Sequence, residues 1–326
     1  MIGINELKEK IIITDTQVEC PVKNCTEKVE RQRQHFRKEE KYKCPKHNIY
    51  ISPSTFEYET ELENLLWTDN SDIDRLKKIK EVKRESRIAR ENSEDAVTWN
   101  VFRFLERNNL LSSFLTSLTG QEYNTTELIL WSYSPKQNDT LKILNRARSE
   151  FGEQINRGSE PDIIVLTDKT LFFIEAKVLA GNDTSGTGET LERHLNEPQK
   201  YITGGNNLYS SVFSSDYKTV INDQKYELLR FWLLGSWMAE QLKMPFYLIN
   251  LVMKEREKNI EHEFGRHILQ SDDRVFKRII WENVYDFVVK SGISNKETEI
   301  LKEYFKNKAL GYNSDRELIK AFYIEP

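Results

Sequence analysis

Three charged side chains lie at the ends of two apolar segments, and their types are those of a divalent-cation site. Asp162 directly precedes the apolar residues 163–166, and Glu175 and Lys177 close a second apolar segment that begins with residues 171–174. Carboxylate oxygens are the ligands that Mg²⁺ prefers in proteins. A nearby ammonium can hold an attacking water or stabilise an anionic transition state. The set therefore predicts a metal site with a lysine beside it.

The two apolar segments predict a β-hairpin, because both are rich in β-branched and aromatic residues and the polar residues 167–170 separate them. With residues 168–169 as the loop, Asp162 lies opposite Glu175, and Lys177 shares their face. Opposed Cβ atoms are roughly 4.5–5.5 Å apart, where two carboxylates repel unless a cation lies between them. An ordinary ion triad is the alternative. The apolar residues on both faces of both strands favour the metal site, since charges there cost stability.

The same residues resemble the signature of the PD-(D/E)XK, or restriction-endonuclease-like, nuclease superfamily. Pro161-Asp162 begins one predicted strand and Glu175-Ala176-Lys177 ends the next, as Pro-Asp and acid-x-Lys do in that family. The resemblance covers roughly residues 91–255. It implies an α/β fold with a restriction-endonuclease-like core, in which a mixed central sheet is flanked by helices. We add to this core a small N-terminal zinc-binding module and a helical C-terminal region.

The resemblance also implies an activity, namely Mg²⁺- or Mn²⁺-dependent hydrolysis of phosphodiester bonds in DNA, with double-stranded DNA as the expected partner. Asp162 and Glu175 are the expected metal ligands, joined by the backbone carbonyl of Ala176, and Lys177 is the expected catalytic lysine. The ion would lower the pKa of a bound water and neutralise developing charge. A cytoplasmic role in restriction or defence against foreign DNA is a further expectation from the family. One ion or two stays open.

In the resembled family an acidic residue on a helix before the sheet often completes the site, and Glu94 is the candidate here. Its spacing is helical with three apolar residues that follow it, namely Val97, Val101 and Phe104. Ser93 is the predicted N-cap, so a simple favourable charge at a helix N-terminus is the alternative role for Glu94. Glu91 is the alternative fourth acid. Glu160 falls opposite Lys177 and is either an extra ligand or a partner of the lysine.

All three cysteines of the chain lie near one histidine, and their spacing predicts a structural zinc site. The four ligands form a Cys-x4-Cys pair followed by a Cys-x2-His pair: Cys20, Cys25, Cys44 and His47. Three thiolates and one imidazole make a closed tetrahedral shell that has no open position for catalysis. No signal peptide is evident, which disfavours a disulfide framework. His35 is the alternative to His47, and three reduced buried cysteines without metal are the other alternative.

Composition limits the protein class and favours a nucleic-acid partner. The chain has 326 residues, of which 38% are hydrophobic and 31% charged, as in one large or two ordinary soluble domains. The net charge of −4 argues against a protein that coats nucleic acid globally. Two segments are locally basic: residues 23–46 carry nine Lys/Arg against four Glu, and residues 75–90 carry eight against two. Such clusters neutralise phosphates, although solvated helix faces are the alternative.

We predict three segments along the chain. Residues 1–60 form the zinc-binding module, with short strands around Tyr42 and Tyr50, residues 61–90 form a basic helical connector, and residues 91–326 form the nuclease core with its helical C-terminal extension. Hydrophobic periodicity predicts further elements in the core: a helix at 93–108, a strand at 127–133, a helix at 226–242, a strand at 246–253 and a helix from Trp281 through Val288. The glycine-rich residues 181–188 lack the Gly-Lys-Ser/Thr of a P-loop.

Two other functions stay open from the sequence alone. One is a nucleic-acid-binding or scaffold protein that keeps the fold without hydrolysis, and the other is an RNase on the same scaffold. The intact Asp162, Glu175 and Lys177 set favours hydrolysis over the first, whereas metal chemistry does not distinguish DNA from RNA. A homodimer also stays open, because cutting two strands commonly takes two sites.

Overall fold

A computed structural model describes residues 2, 6–33, 35–83, 87–155 and 158–324. The strands are β1 Gln17–Glu19, β2 Lys28–Glu30, β3 Ile49–Ile51, β4 Phe56–Tyr58, β5 Thr126–Leu130, β6 Tyr133–Ser134, β7 Asp139–Thr140, β8 Ile163–Thr167, β9 Leu171–Ala176, β10 Phe246–Val252, β11 Arg274–Ile280, β12 Ala309–Tyr312 and β13 Leu318–Lys320. The helices are α1 Asn70–Val82, α2 Glu94–Arg107, α3 Leu111–Thr119, α4 Lys142–Glu150, α5 Glu189–Asn196, α6 Pro198–Asn207, α7 Tyr209–Val212, α8 Tyr217–Asn222, α9 Tyr226–Leu242, α10 Ile260–Gly265, α11 Trp281–Lys290 and α12 Lys296–Asn307.

The chain divides into two compact units. The first contains Met1–Asp69, Ser86–Phe104 and Trp281–Pro326, and the second contains Asn70–Glu85 and Leu105–Ile280. The expected continuous segment 91–326 is therefore divided between the units, and the predicted connector contributes α1 to the second. None of the described helices combines the length and the apolar character needed to cross a membrane.

The first unit is built from short antiparallel pairs around one apolar cluster. Val18 of β1 lies opposite Val29 of β2, and both are buried. Strands β3 and β4 form a second pair, which confirms the strand expected around Tyr50. Tyr42 was predicted to lie in a strand, but it ends a short 3-10 helix, Glu40–Tyr42. The strand prediction there was wrong because a buried tyrosine in a charged segment fits either conformation.

The end of the chain belongs to this first unit because its apolar residues join the same cluster. Ala309 and Tyr312 of β12 are buried with the residues around the cysteines, and the N–H of Tyr312 donates to the carbonyl of Ser54 at 2.7 Å. Gly311 has φ +121°, and a side chain there would collide with that same Ser54 carbonyl. The described part of the C-terminal region is thus helical only in α11 and α12, and a β12–β13 hairpin follows them.

The second unit contains a mixed seven-stranded sheet flanked by helices. Its strand order is β11-β10-β9-β8-β5-β6-β7. Strands β9, β10 and β11 run parallel to one another, whereas β8 is antiparallel to both β9 and β5. Strand β11 was not predicted, because charged residues interrupt its apolar pattern: Arg274, Lys277 and Arg278. Its position at the sheet edge leaves those side chains partly exposed.

The register of the β8–β9 hairpin is the predicted one. Leu166 pairs with Leu171 and Ile163 pairs with Ile174, so the loop is Asp168-Lys169. Thr167 and Thr170 close the turn through main-chain and side-chain hydrogen bonds. All residues of β9 are buried, which is the burial expected of a strand covered on both faces. The hairpin therefore lies in the centre of the sheet.

Helix α9 covers one face of the sheet and has the predicted bounds. Twelve of its seventeen residues are buried, and it packs against β9 and β10. Gly235 lies against the ring of Phe246, where any side chain would overlap the ring. Lys243 follows the last helical residue as its cap and adopts the left-handed conformation with φ 55°. Pro245 follows and prevents the helix from continuing.

Candidate functional site

The hairpin brings Asp162, Glu175 and Lys177 together at one end of β8 and β9. The Nζ atom of Lys177 lies 2.5 Å from Oε1 of Glu175. The Oδ2 atom of Asp162 accepts a hydrogen bond from the N–H of Ala176 at 3.0 Å. Main-chain bonds fix the same residues, because the carbonyl of Asp162 accepts from Trp131 at 3.0 Å and the N–H of Lys177 donates to Leu251 at 2.8 Å.

Glu175 is the most constrained acid of this group. Its side chain is only 4% exposed, and its Oε2 atom is buried without a hydrogen-bond partner in the part of the chain that the structure describes. Burial raises the pKa of Glu175 well above its usual value of 4.5, and the negative charge of Asp162 raises it further. The attraction of Lys177 opposes both effects without cancelling them. A proton or a metal ion is therefore favoured on this carboxylate.

Lys177 stays charged although it is nearly buried. Desolvation alone lowers the pKa of Lys177, but Glu175, Glu227 and Asp162 together raise it well above its usual value. The Oε2 atom of Glu227 lies 3.0 Å from Nζ. Sequence reasoning did not identify Glu227 as a site residue, because its position indicates only a favourable charge in the first turn of α9.

A buried amide network lies beside Glu175 on the neighbouring strand. Asn250 of β10 pairs with Glu175 in the parallel register, so both side chains are on the same face of the sheet. Asn250 donates to Glu257 at 2.7 Å and accepts from Asn182 at 2.9 Å. Asn182 also donates to Glu257 through its main-chain and side-chain N–H groups. The network holds the loop of residues 181–188 against the end of β10.

A polar cleft of about 1170 Å³ adjoins the acid–lysine group within the second unit. Glu227 lines the cleft and also contacts Lys177, so it connects the two. The N–H of Glu227 donates to Oγ1 of Thr184 at 2.9 Å, and Thr184 lines the cleft as well. Glu160 is another wall residue. The cationic residues of the walls are Lys83, Arg148, Arg193, Lys200 and Arg230.

The four predicted zinc ligands converge in the first unit. The ligand atoms of Cys20, Cys25, Cys44 and His47 all lie within 4.8 Å of one another, a group that could hold a metal ion such as zinc. Nδ1 of His47 is 3.6 Å from Sγ of Cys20 and 3.5 Å from Sγ of Cys44. The three thiols are free and buried. His47 is therefore the fourth member, and His35 is not in this group.

Two tight turns aim these ligands at one another. The N–H of Cys25 donates to Val22 in the first turn, and the N–H of His47 donates to Cys44 in the second. Asn24 and Asn48 adopt left-handed conformations, with φ 63° and 54°, which asparagine tolerates better than most residues. The chain therefore makes one tight turn within each ligand pair.

Glu94 and its alternative Glu91 both belong to the first unit, whereas Asp162, Glu175 and Lys177 belong to the second. Glu94 begins α2, and the N–H of Ala96 donates to Oγ of Ser93 at 3.1 Å, so Ser93 is the N-cap. Glu91 is buried in another role, because Lys308 lies 3.3 Å away and Tyr58 donates to it at 2.9 Å. Glu94 as a fourth site residue stays a prediction.

Part of the charge in the two basic segments is already paired. Lys38, Lys43 and Lys46 each lie within 3.0 Å of a glutamate oxygen. Arg75 pairs with Glu106 at 2.6 Å and also donates to the carbonyl of Leu128. A nucleic-acid partner therefore stays a prediction, with fewer free cations than the sequence suggests.

Comparison of the chain with models of protein families, with curated proteins and with solved structures gave no match.

Proposed function

We propose that this protein is a Mg²⁺- or Mn²⁺-dependent nuclease that hydrolyses phosphodiester bonds of DNA. The observation that carries the proposal is the buried Oε2 atom of Glu175, which has no hydrogen-bond partner among the described residues. Asp162 raises the pKa of the same carboxyl, so a second negative charge is close to it. Two acids and one unsatisfied oxygen are the donor set that a hard divalent cation takes.

The energetic reason is the cost of a buried carboxylate that is not fully satisfied. Leaving a buried acceptor unpaired costs about 1–3 kcal/mol, and more when the group is charged. Lys177 compensates one oxygen of Glu175 and leaves the other. A cation between Asp162 and Glu175 would remove both the unpaired oxygen and the repulsion.

The residues of this site have distinct roles in the proposed reaction. A bound divalent ion supplies a water of lowered pKa and neutralises the charge that develops on the phosphoryl oxygens. Asp162 and Glu175 hold the ion, and the N–H of Ala176 fixes the orientation of Asp162. Lys177 keeps its positive charge, so it acts as an electrostatic stabiliser of the anionic transition state. The Ala176 carbonyl is the proposed third ligand.

The connectivity of the sheet supports a restriction-endonuclease-like core. Strands β5, β8 and β9 are antiparallel neighbours, and the chain then passes through helices including α9 to β10, which is parallel to β9. The resemblance noted at Pro161-Asp162 and Glu175-Ala176-Lys177 implies this order of elements. We also propose that Zn²⁺ occupies the cysteine–histidine group as a structural ion. A role in restriction or defence against foreign DNA remains an expectation of the resemblance.

A cleavage panel tests the proposed activity. Purified protein is incubated with supercoiled plasmid, linear duplex DNA, single-stranded DNA and structured RNA, each with Mg²⁺, with Mn²⁺ and with a chelator. We expect cutting of DNA that needs the divalent ion. Cutting of RNA alone would redirect the proposal to an RNase. Tight binding of nucleic acid without any cutting would support the non-hydrolytic alternative and contradict the proposal.

A further inference from the structure

We infer that the cleft holds a phosphate subsite whose main ligand is Arg230, and that this subsite takes a backbone phosphate next to the one being cut. The inference rests on the proposed nuclease function, since it names a contact to the same substrate. Arg230 lines the cleft, lies on α9 three residues after Glu227, and therefore shares a helix face with the partner of Lys177.

Arg230 has an uncommon environment for a charged side chain. Among the residues that the structure describes, none hydrogen-bonds to its buried Nε atom and none forms an ion pair with it. Its guanidinium lies 4.6 Å from the centre of the Tyr226 ring, a stacking that holds the group in place. A buried donor without an acceptor is costly, so the guanidinium has hydrogen-bonding capacity that the described residues leave unused.

Glu153 does not use that capacity, although its charge acts on Arg230. Glu153 lines the same cleft, but its oxygens accept hydrogen bonds from the Ser159 main chain, the Ser159 hydroxyl and the Tyr201 hydroxyl. Its negative charge still helps to raise the pKa of Arg230 against the opposing effect of burial. The guanidinium therefore stays charged and keeps donors for a ligand.

A phosphate is the ligand whose chemistry fits this position. A guanidinium presents a planar fork of donors that matches two phosphate oxygens. Glu227 lines the cleft together with Arg230 and also contacts Lys177 at 3.0 Å, so a polynucleotide that follows the cleft to the acids would also pass Arg230. Removing this contact should reduce the stabilisation of the transition state and leave the metal ligands unchanged.

The test compares Arg230→Gln and Arg230→Lys with the wild-type protein and with Arg146→Gln. Arg146 is a matched control, because its guanidinium also lies over an aromatic ring, that of Trp237 at 5.6 Å, and it does not line the cleft. Cleavage rates are measured on oligonucleotides that each carry one neutral methylphosphonate at a different position. Mn²⁺ affinity is measured by calorimetry, and thermal unfolding checks the fold.

We expect Arg230→Gln to lower kcat/KM by about 10²-fold with unchanged Mn²⁺ affinity, Arg230→Lys to recover part of the loss, and Arg146→Gln to have no effect. A methylphosphonate at one position should slow cleavage by the wild type. The same methylphosphonate should not slow Arg230→Gln any further, since both changes remove the same contact. Equal sensitivity of Arg230→Gln and wild type at every position would overturn the subsite. A wild-type protein that cuts no nucleic acid would overturn the proposed function first, and the subsite with it.

Discussion

Lys177 neutralises only one half of Glu175. Its Nζ atom lies 2.5 Å from Oε1 of that carboxylate, whereas Oε2 is buried without a hydrogen-bond partner among the described residues. The lysine is held from the other side by Glu227 at 3.0 Å. The protein thus keeps a permanent cation against one oxygen and leaves the other oxygen unsatisfied and available to a second cation. The proposed activity follows from this arrangement.

Metal binding at Glu175 should compete with a proton. The pKa of this carboxyl is raised in the folded protein above its usual 4.5, so its contribution to stability is fully present below that value and is lost as pH rises through the folded-state pKa. A divalent ion binds the deprotonated form, so Mg²⁺ should raise the unfolding temperature more as pH rises over the same range. Thermal unfolding with and without Mg²⁺ measures this.

The matched control for that experiment is Glu127, another buried acid of the sheet, which accepts hydrogen bonds from Ser134 and Lys136. Glu175→Gln should abolish the pH-dependent part of the Mg²⁺ effect, and Glu127→Gln should retain it. If both variants respond to Mg²⁺ like the wild type, the ion does not bind at Glu175.

Glu227 should position Lys177 without holding the metal. Glu227 contributes to the raised pKa of Lys177, so Glu227→Gln should lower that pKa and move the alkaline limb of the activity profile to lower pH. We expect kcat to fall roughly 10-fold, which is less than the ~10²–10⁴-fold contributed by a residue that transfers a proton itself. Mn²⁺ affinity from calorimetry should be unchanged, and a large fall in that affinity would make Glu227 a ligand instead.

Zinc removal should unfold the first unit. The free energy of binding to such sites is folding free energy, with apparent values of about 10–16 kcal/mol. Cys44→Ser should therefore lose the bound zinc and the cooperative unfolding of this unit, as read by metal analysis and circular dichroism. His47→Ala should weaken zinc binding, whereas His35→Ala should keep one zinc per chain. Equal zinc loss in both histidine variants would contradict the assignment of His47.

Lys308 should matter for stability and not for catalysis. It is buried with Glu91, the two forming an ion pair of 3.3 Å with side chains 1% and 3% exposed. Removing one partner of a buried pair costs about 3–5 kcal/mol, so Lys308→Met should lower the free energy of unfolding by that amount. Lys306→Met is the matched control, because Lys306 is 43% exposed and lies 4.0 Å from Glu303. Chemical denaturation measures the free energy of unfolding of both variants. An equal loss in the two variants would contradict the structural role given to Glu91.

The hairpin, its register and α9 were predictable because each has one dominant local signal. In the hairpin, two apolar segments flank one short polar turn, so Asp162 and Glu175 could be placed opposite each other from sequence alone. In α9 a long, mostly apolar segment is followed by Pro245, which stops the helix. The cysteines were predictable because thiolate ligands are few and all three fall within one module.

The rest depends on contacts between residues distant in sequence. Glu227 lies 50 positions from Lys177, and nothing in its local pattern distinguishes it from a favourable helix charge. Strand β11 interrupts its apolar residues with cations that an edge strand can expose. The β12–β13 hairpin is short, and its place in the first unit is set by apolar contacts with residues about 250 or more positions earlier.

The most direct test of the central claim is metal-dependent cleavage by the Asp162→Asn variant beside the wild type and Glu127→Gln. Asp162→Asn keeps the size of the side chain and an oxygen for the N–H of Ala176 but removes the charge that the ion needs. We predict that wild type and Glu127→Gln cut plasmid DNA only with Mg²⁺ or Mn²⁺, and that Asp162→Asn cuts at least about 10²-fold more slowly. A folded Asp162→Asn protein that cuts as fast as the wild type would contradict the account.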